Sequence, residues 1–219
     1  MALLLSVFFM EHKIDISNTA RYFSHGNPQA KNLIFALHGY GQLASYFIQK
    51  FEFLDPENYF VIAPEGLHRF YLNGTSGRVG ASWMTKENRE DDIKNYIQYL
   101  ETLLKKIAHE NQYEKKCLLG FSQGGATASR LIGASQQKFD AFLLWAAVFP
   151  PDMERQNFGK FNVSKNYLII GDEDPYYSVE VIVHEKEKLK ETGMKFEVVP
   201  FNGKHTIHAE TLKKILDEI

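Results

Sequence analysis

The chain has 219 residues, 44% of them apolar and including 17 Phe and 11 Tyr, enough for one sizeable core but short for two domains. Its 25 basic and 27 acidic residues nearly cancel, which argues against a nucleic-acid partner and against charge-driven attachment to an anionic membrane. A single cysteine, Cys117, excludes an intramolecular disulfide. Lying inside an apolar run, it reads as a small buried hydrophobe, and the expected setting is reducing and cytoplasmic.

Met1–Phe9 is apolar but too short to span a bilayer, and it lacks the basic n-region and cleavage site of a secretory signal. Integral membrane association is therefore not expected. Met10 follows at once, so residues 1–9 read as an extension or a misassigned start.

His12–Ile16 and Ala20–Phe23 are expected to form two short strands joined at Ser17-Asn18-Thr19 as an antiparallel hairpin. Asn32–Leu37 is a continuous apolar run, the signature of a strand covered on both faces, and it ends in His38-Gly39-Tyr40-Gly41. A helix over Ala44–Leu54 and a buried strand over Tyr59–Ala63 follow, the latter closed by Pro64-Glu65-Gly66. Residues 67–84 are glycine-rich without a clear period and read as a long surface loop.

The clearest helix is Glu87–Glu110, where Ile93, Ile97, Leu100, Leu104 and Ile107 recur at spacings of three and four. Glu87, Glu90, Asp91 and Asp92 crowd its start and Lys105, Lys106 and His109 its end, matching the helix dipole. These charges read as a solvated face. Beyond it come a strand at Lys116–Leu119, a helix at Gln123–Ser135, an apolar strand at Ala141–Ala147 and a polar connection over 149–165. A strand at Tyr167–Ile170, a helix at Ser178–Thr192, a strand at Phe196–Pro200 and a final helix to Ile219 complete the chain. Strands alternating with helices predict one α/β domain over 1–219: a mostly parallel central sheet with helices on both faces and the N-terminal hairpin.

The pattern Gly120-x-Ser122-x-Gly124 lies between an apolar strand and a run of small residues. That context predicts a strained strand-to-helix turn carrying an exposed serine, with glycines where a Cβ would collide. Ser122, Asp174 and His205 each follow a separate predicted strand, where ligands bind in open α/β sheets. Their order is that of a Ser-Asp-His triad on this kind of sheet. A serine hydroxyl needs an imidazole to take its proton, and the imidazole needs a carboxylate to hold its tautomer. Asp174 is favoured over Asp172 because it stands further into the loop, and His208 is the alternative to His205. Gln123, after the nucleophile, and Tyr40, in the glycine-flanked loop, are the expected backbone donors of an oxyanion hole. His38 is expected to brace that loop. Trp83, Tyr176 and Phe149 are candidate walls of an apolar substrate site.

Taken together, Leu37-His38-Gly39-Tyr40-Gly41, Ala63-Pro64-Glu65-Gly66, Ser82-Trp83, Gly120-Phe121-Ser122-Gln123-Gly124-Gly125, Gly171-x-x-Asp174-Pro175 and His205 resemble the phospholipase/carboxylesterase family of α/β hydrolases. The resemblance covers about residues 30–210. It implies the α/β-hydrolase fold and a serine hydrolase that acts on small carboxylic esters or thioesters through an acyl-enzyme, without metal or other cofactor. A homodimer is left open, as are a peptidase or lactone hydrolase and a non-catalytic binding protein on the same fold. Four positions depart from the family pattern: Gln42 stands where an acidic residue is usual, Met84-Thr85 follows Trp83 instead of an aromatic and Asp, and Lys204 precedes His205 instead of Gly.

Overall fold

Strands that are apolar on both faces can only be stable with both faces covered, and the computed structural model is built on that requirement. It describes residues 10–153, 163–191 and 193–219. Seven strands form the main sheet: β1 (Tyr22–His25), β2 (Asn32–Leu37), β3 (Tyr59–Pro64), β6 (Lys115–Phe121), β7 (Phe139–Trp145), β8 (Val163–Gly171) and β9 (Phe196–Phe201). Their order across the sheet is β1-β3-β2-β6-β7-β8-β9, with every neighbouring pair parallel except β1 with β3. Two further strands, β4 (His68–Asn73) and β5 (Ser76–Ser82), make a separate antiparallel hairpin.

The period-two geometry of a strand divides the core in two. Leu33, Phe35 and Leu37 point to the face covered by α2 (Arg89–Glu110), α3 (Gln123–Ala134) and α4 (Val179–Glu191). Ile34 and Ala36 point to the opposite face, covered by α1 (Ala44–Phe47), the 3-10 turn Ile48–Phe51 and α5 (Ala209–Glu218). On α2, Tyr96, Leu100, Leu103, Leu104 and Ile107 are buried. Each such side chain contributes about 1.5–3 kcal/mol of burial free energy.

Chain order makes the functional crevice. From β2 the chain steps to β3 on one side, then returns to β6 on the other, so the loops after β2 and β6 leave the sheet in divergent directions at their carboxyl ends. That is a topological switch point, where α/β sheets bind ligands.

Several expectations need correction. The antiparallel N-terminal strand exists, but its partner is β3, in the register Tyr22 with Pro64; His12–Ile16 forms no strand. The segment has no buried face to hold it in one, since Ile14 and Ile16 are exposed. Residues 67–84 are the β4–β5 hairpin rather than a loop. The helix expected over Ala44–Leu54 tightens into the 3-10 turn and stops at Phe51. Asp92 is buried rather than solvated: it accepts from the Thr85 N–H at 3.2 Å and meets His68 Nε2 at 2.9 Å, tying the start of α2 to β4. Residues 1–9, residues 154–162 of the polar connection, and Thr192 lie outside the described residues. Among the described residues no helix is long and apolar enough to cross a membrane.

Candidate active site

Ser122 occupies the junction of β6 and α3 at φ 54°, ψ −120°, a left-handed backbone conformation costing a non-glycine residue about 1–3 kcal/mol. The neighbouring glycines make the turn possible. A Cβ on Gly120 would stand 2.5 Å from the Gly124 carbonyl oxygen, and one on Gly124 would stand 2.3 Å from that of Leu37. The Ser122 N–H donates to the Trp145 carbonyl at 3.0 Å, fastening the elbow to the adjacent strand. Opposite it, the β2 loop comes so close that a Cβ on Gly39 would lie 3.1 Å from the Ser122 Cβ.

The structure brings Asp174 and His205 into direct contact. His205 Nδ1 lies 2.7 Å from Asp174 Oδ2, and the Asp174 side chain is fully buried. The other carboxylate oxygen of Asp174 accepts the Tyr176 N–H at 3.0 Å. With both oxygens engaged, the carboxylate is fixed in orientation, and Nδ1–H is the tautomer it selects. Asp172 is placed elsewhere: its Oδ1 accepts the Gly203 N–H at 2.9 Å, bracing the turn that leads to His205. His208 caps α5, with Nδ1 2.8 Å from Thr211 Oγ1, and takes no part in the cluster. The His205 ring lies 4.8 Å from that of Phe121, the residue before Ser122, which puts imidazole and serine on one shelf. Ser122 Oγ makes no hydrogen bond among the described residues, as is common in ligand-free sites where such contacts tighten only with substrate.

The N–H groups of Tyr40 and Gln123 likewise have no hydrogen-bond partner among the described residues. Their surroundings are heavily braced. The Gly39 N–H donates to Gln42 Oε1 at 2.9 Å, while Gly41 and Gln42 exchange backbone hydrogen bonds with Ala81 of β5. The hairpin therefore holds the loop from the outside. The Gln123 side chain in turn holds the segment after β5: Oε1 accepts the Trp83 N–H at 3.1 Å, and Nε2 donates to the Met84 carbonyl at 2.9 Å.

His38 is completely buried. Its Nε2 accepts the Gly66 N–H at 2.9 Å, so Nδ1–H donates to the Gly39 carbonyl at 2.8 Å. Burial drives its pKa down to about 4, against the opposing pull of the Gly39 carbonyl and of Glu65. Protonation would set a donor against the Gly66 N–H, so the ring braces the loop as a neutral group, matching its expected role. A pH effect on folding follows. Because the folded pKa lies below the unfolded value near 6.5, the unfolded chain binds more protons between the two. Stability should thus fall by about 3 kcal/mol from pH 7 to pH 4 on account of this ring. Urea unfolding across that range will measure it; a His38→Gln variant should show a flatter slope, and an equally steep one would assign the effect to other groups.

Glu65, also buried, receives Arg21 Nε at 2.6 Å and Nη2 at 3.1 Å, and accepts the Ala44 N–H at 3.2 Å. It locks β1, the turn after β3 and the start of α1 together behind His38. Across the sheet, Arg130 on α3 makes a bidentate pair with Asp152 at 3.0 and 2.7 Å. Burial acts to raise the Asp152 pKa, but Arg130 and Arg89 outweigh it and hold the carboxyl at about 2. Burial pushes the Cys117 thiol up, keeping it protonated and unreactive, as its place in an apolar strand predicts.

Of the three aromatic wall candidates, two are corrected. Trp83 is fully buried, its Nε1–H donating to the His38 carbonyl at 2.8 Å and its ring packed on His38 and Tyr96. Phe149 is buried as well, its N–H bonded to Glu185. Both are sealed in the core and present no surface to a ligand. Tyr176 is exposed, and its ring meets that of His205 edge-on at 4.8 Å.

A strained Ser turn at the switch point of a mostly parallel sheet, covered by helices on both faces, defines the α/β-hydrolase fold. The Phospholipase/Carboxylesterase family model matches residues 18–219, and the chain belongs to that family. It is a hydrolase of the carboxylesterase type. Solved structures share the fold at low identity. Esterase PE8 is 21% identical with a TM-score of 0.68, covering 92% of this chain and 98% of its own. The acyl-protein thioesterase 2 of Zea mays is 17% identical, TM-score 0.68, over 91% and 97%. The Bacillus cereus carboxylesterase is 16% identical, TM-score 0.64, over 91% and 92%. Among curated proteins none matches the chain in sequence.

Proposed function

We propose that the protein cleaves small carboxylic esters, or thioesters, through a Ser122–His205–Asp174 triad and an acyl-enzyme. The observation that carries this reading is the 2.7 Å contact of Asp174 with His205 Nδ1, made on the shelf that also bears the strained Ser122. Nδ1–H is committed to the carboxylate, so Nε2 is the nitrogen left to take the serine proton. Ser122 Oγ then attacks the ester carbonyl, and its proton passes to Nε2. The carbonyl oxygen becomes an oxyanion facing the unpartnered N–H groups of Tyr40 and Gln123, whose fixed dipoles require no reorganisation during the reaction. Collapse of this intermediate expels the alkoxide or thiolate, which takes the proton from Nε2. Water repeats the sequence on the acyl-enzyme, releasing the acid and restoring Ser122. No step calls for a metal or organic cofactor. Tyr176, over His205, is the side chain we place against the substrate.

A cytoplasmic setting is part of the same reading, supported by a lone cysteine sealed in the core. The test is labelling by a fluorophosphonate probe together with hydrolysis of short and medium p-nitrophenyl esters. Labelling at Ser122 with turnover is the expected result. Labelling without ester turnover would favour a peptidase or lactone hydrolase, and neither would leave a binding protein on this fold.

A further inference from the structure

Beside the loop that carries Tyr40 lies a cavity of about 380 Å³, bounded by Gly41–Leu43 on one side, α1 and the 3-10 turn on another and the first half of β5 on the third. Its floor is apolar, with Leu43, Phe47 and Val79, and Tyr46 stands exposed at its edge. Two cations reach it, Lys50 from the 3-10 turn and Arg78 from the hairpin. No lining residue is acidic. Arg78 has no ion pair or hydrogen bond among the described residues, and Lys50 has only Thr206 Oγ1, at 3.5 Å. This contrasts with the other described arginines, since Arg21, Arg69, Arg89 and Arg130 all pair with carboxylates.

The cavity adjoins the shelf through the loop and side chains between them. Gly41 and Gln42 belong to the braced loop, and Gln42 Oε1 holds the Gly39 N–H. Phe47 stacks near Phe121, which in turn packs on His205. Lys50 touches Thr206, the residue after His205. In the reaction sequence above, His205 hands its proton to the leaving atom, so a charge held next to Thr206 lies on the leaving side.

We infer that this cavity is a subsite for an anion, and that the preferred substrates are esters whose alcohol or thiol half carries a carboxylate or phosphate. Two uncompensated cations over an apolar floor favour an ion that brings its own carbon skeleton. They would meet it with charge-assisted hydrogen bonds, Arg78 offering a planar fork and Lys50 a point charge. The inference rests on the serine-hydrolase reading and deepens it.

Aryl acetates bearing a carboxylate, a phosphate or a neutral methyl ester on the leaving ring provide the test, with an aryl succinate monoester as the acyl-side control. The quantity read is the ratio of kcat/KM for anionic over neutral ester, which cancels general damage to the shelf. The ratio is expected to fall by about 10-fold in Arg78→Gln and about 10–100-fold when Lys50→Gln is added, chiefly through KM, and to fall in the wild type at high salt. Arg78 is exposed on β5, so its single variant keeps the comparison meaningful if the double variant folds poorly. Higher turnover of the carboxylate or of the phosphate ester by the wild type identifies the anion and supports the subsite. A ratio near one, a ratio unmoved by the substitutions, or a preference confined to the succinate monoester would overturn it. Failure of the parent reading looks different: no ester of any charge is hydrolysed and the fluorophosphonate does not label Ser122.

Discussion

Replacing Ser122 by alanine is expected to lower kcat on ester substrates by about 10⁴–10⁶-fold, with KM little changed. The size follows from the proposed mechanism, in which loss of the hydroxyl removes the acyl-enzyme and leaves water with only the two N–H donors and substrate positioning to help it. His205→Ala should cost about as much, because the triad acts as a unit and the two losses do not add. Folding should survive the serine change. Ser122 Oγ makes no hydrogen bond among the described residues, and a left-handed alanine is strained much as a left-handed serine is. Steady-state kinetics with circular dichroism checks both halves. Near-normal turnover in Ser122→Ala would remove the serine mechanism altogether.

Asp174→Asn should lower kcat by about 10³–10⁴-fold while Asp172→Asn costs no more than about 10-fold. An asparagine at 174 keeps the shape but sets either an N–H against His205 Nδ1–H or a weaker, neutral acceptor in its place. The imidazole then loses the carboxylate that selects its tautomer and stabilises its charged form. The 2.7 Å contact and full burial of the Asp174 side chain make that loss large. Asp172 acts at one remove, through the Gly203 N–H, and its removal loosens the turn without touching the ring. Comparable kcat losses at the two positions would reverse the choice of acid.

Much of this arrangement was legible along the chain because it is written in local signals. Each continuous apolar run became a strand of the main sheet within a few residues, and α2 was foretold by its stripe of Leu and Ile. The elbow glycines and the positions of Asp174 and His205 after their strands are local too. The β4–β5 hairpin was missed because its residues are largely exposed and show no alternation to read. Asn73-Gly74 was nevertheless a hairpin signal, with Gly74 taking φ 62° in the turn. The expected His12–Ile16 strand failed for the converse reason: alternating apolar residues were present, but they find no surface to bury them, and Ile14 and Ile16 stay exposed.

The roles of the buried polar side chains were not legible in this way. Glu65, Asp92 and the Gln123 amide read as ordinary polar residues, yet each satisfies backbone groups far along the chain, such as the Ala44, Thr85 and Trp83 N–H groups. Trp83 looked like a pocket wall and proved to be the support beneath His38. Gln42, a departure from the acidic residue usual in the family, still holds the Gly39 N–H, because an amide oxygen accepts as a carboxylate does.

Strand identity, fold class and the order of Ser122, Asp174 and His205 were therefore fixed by short-range patterning, since hydrophobic period and glycine stereochemistry act over a few residues. Which carboxylate meets the imidazole, which aromatics face solvent, and where Lys50 and Arg78 converge depend on segments distant in the chain that the fold brings together. Those are contacts between residues distant in sequence, set by sheet order and by the satisfaction of buried hydrogen bonds, and no local pattern encodes them.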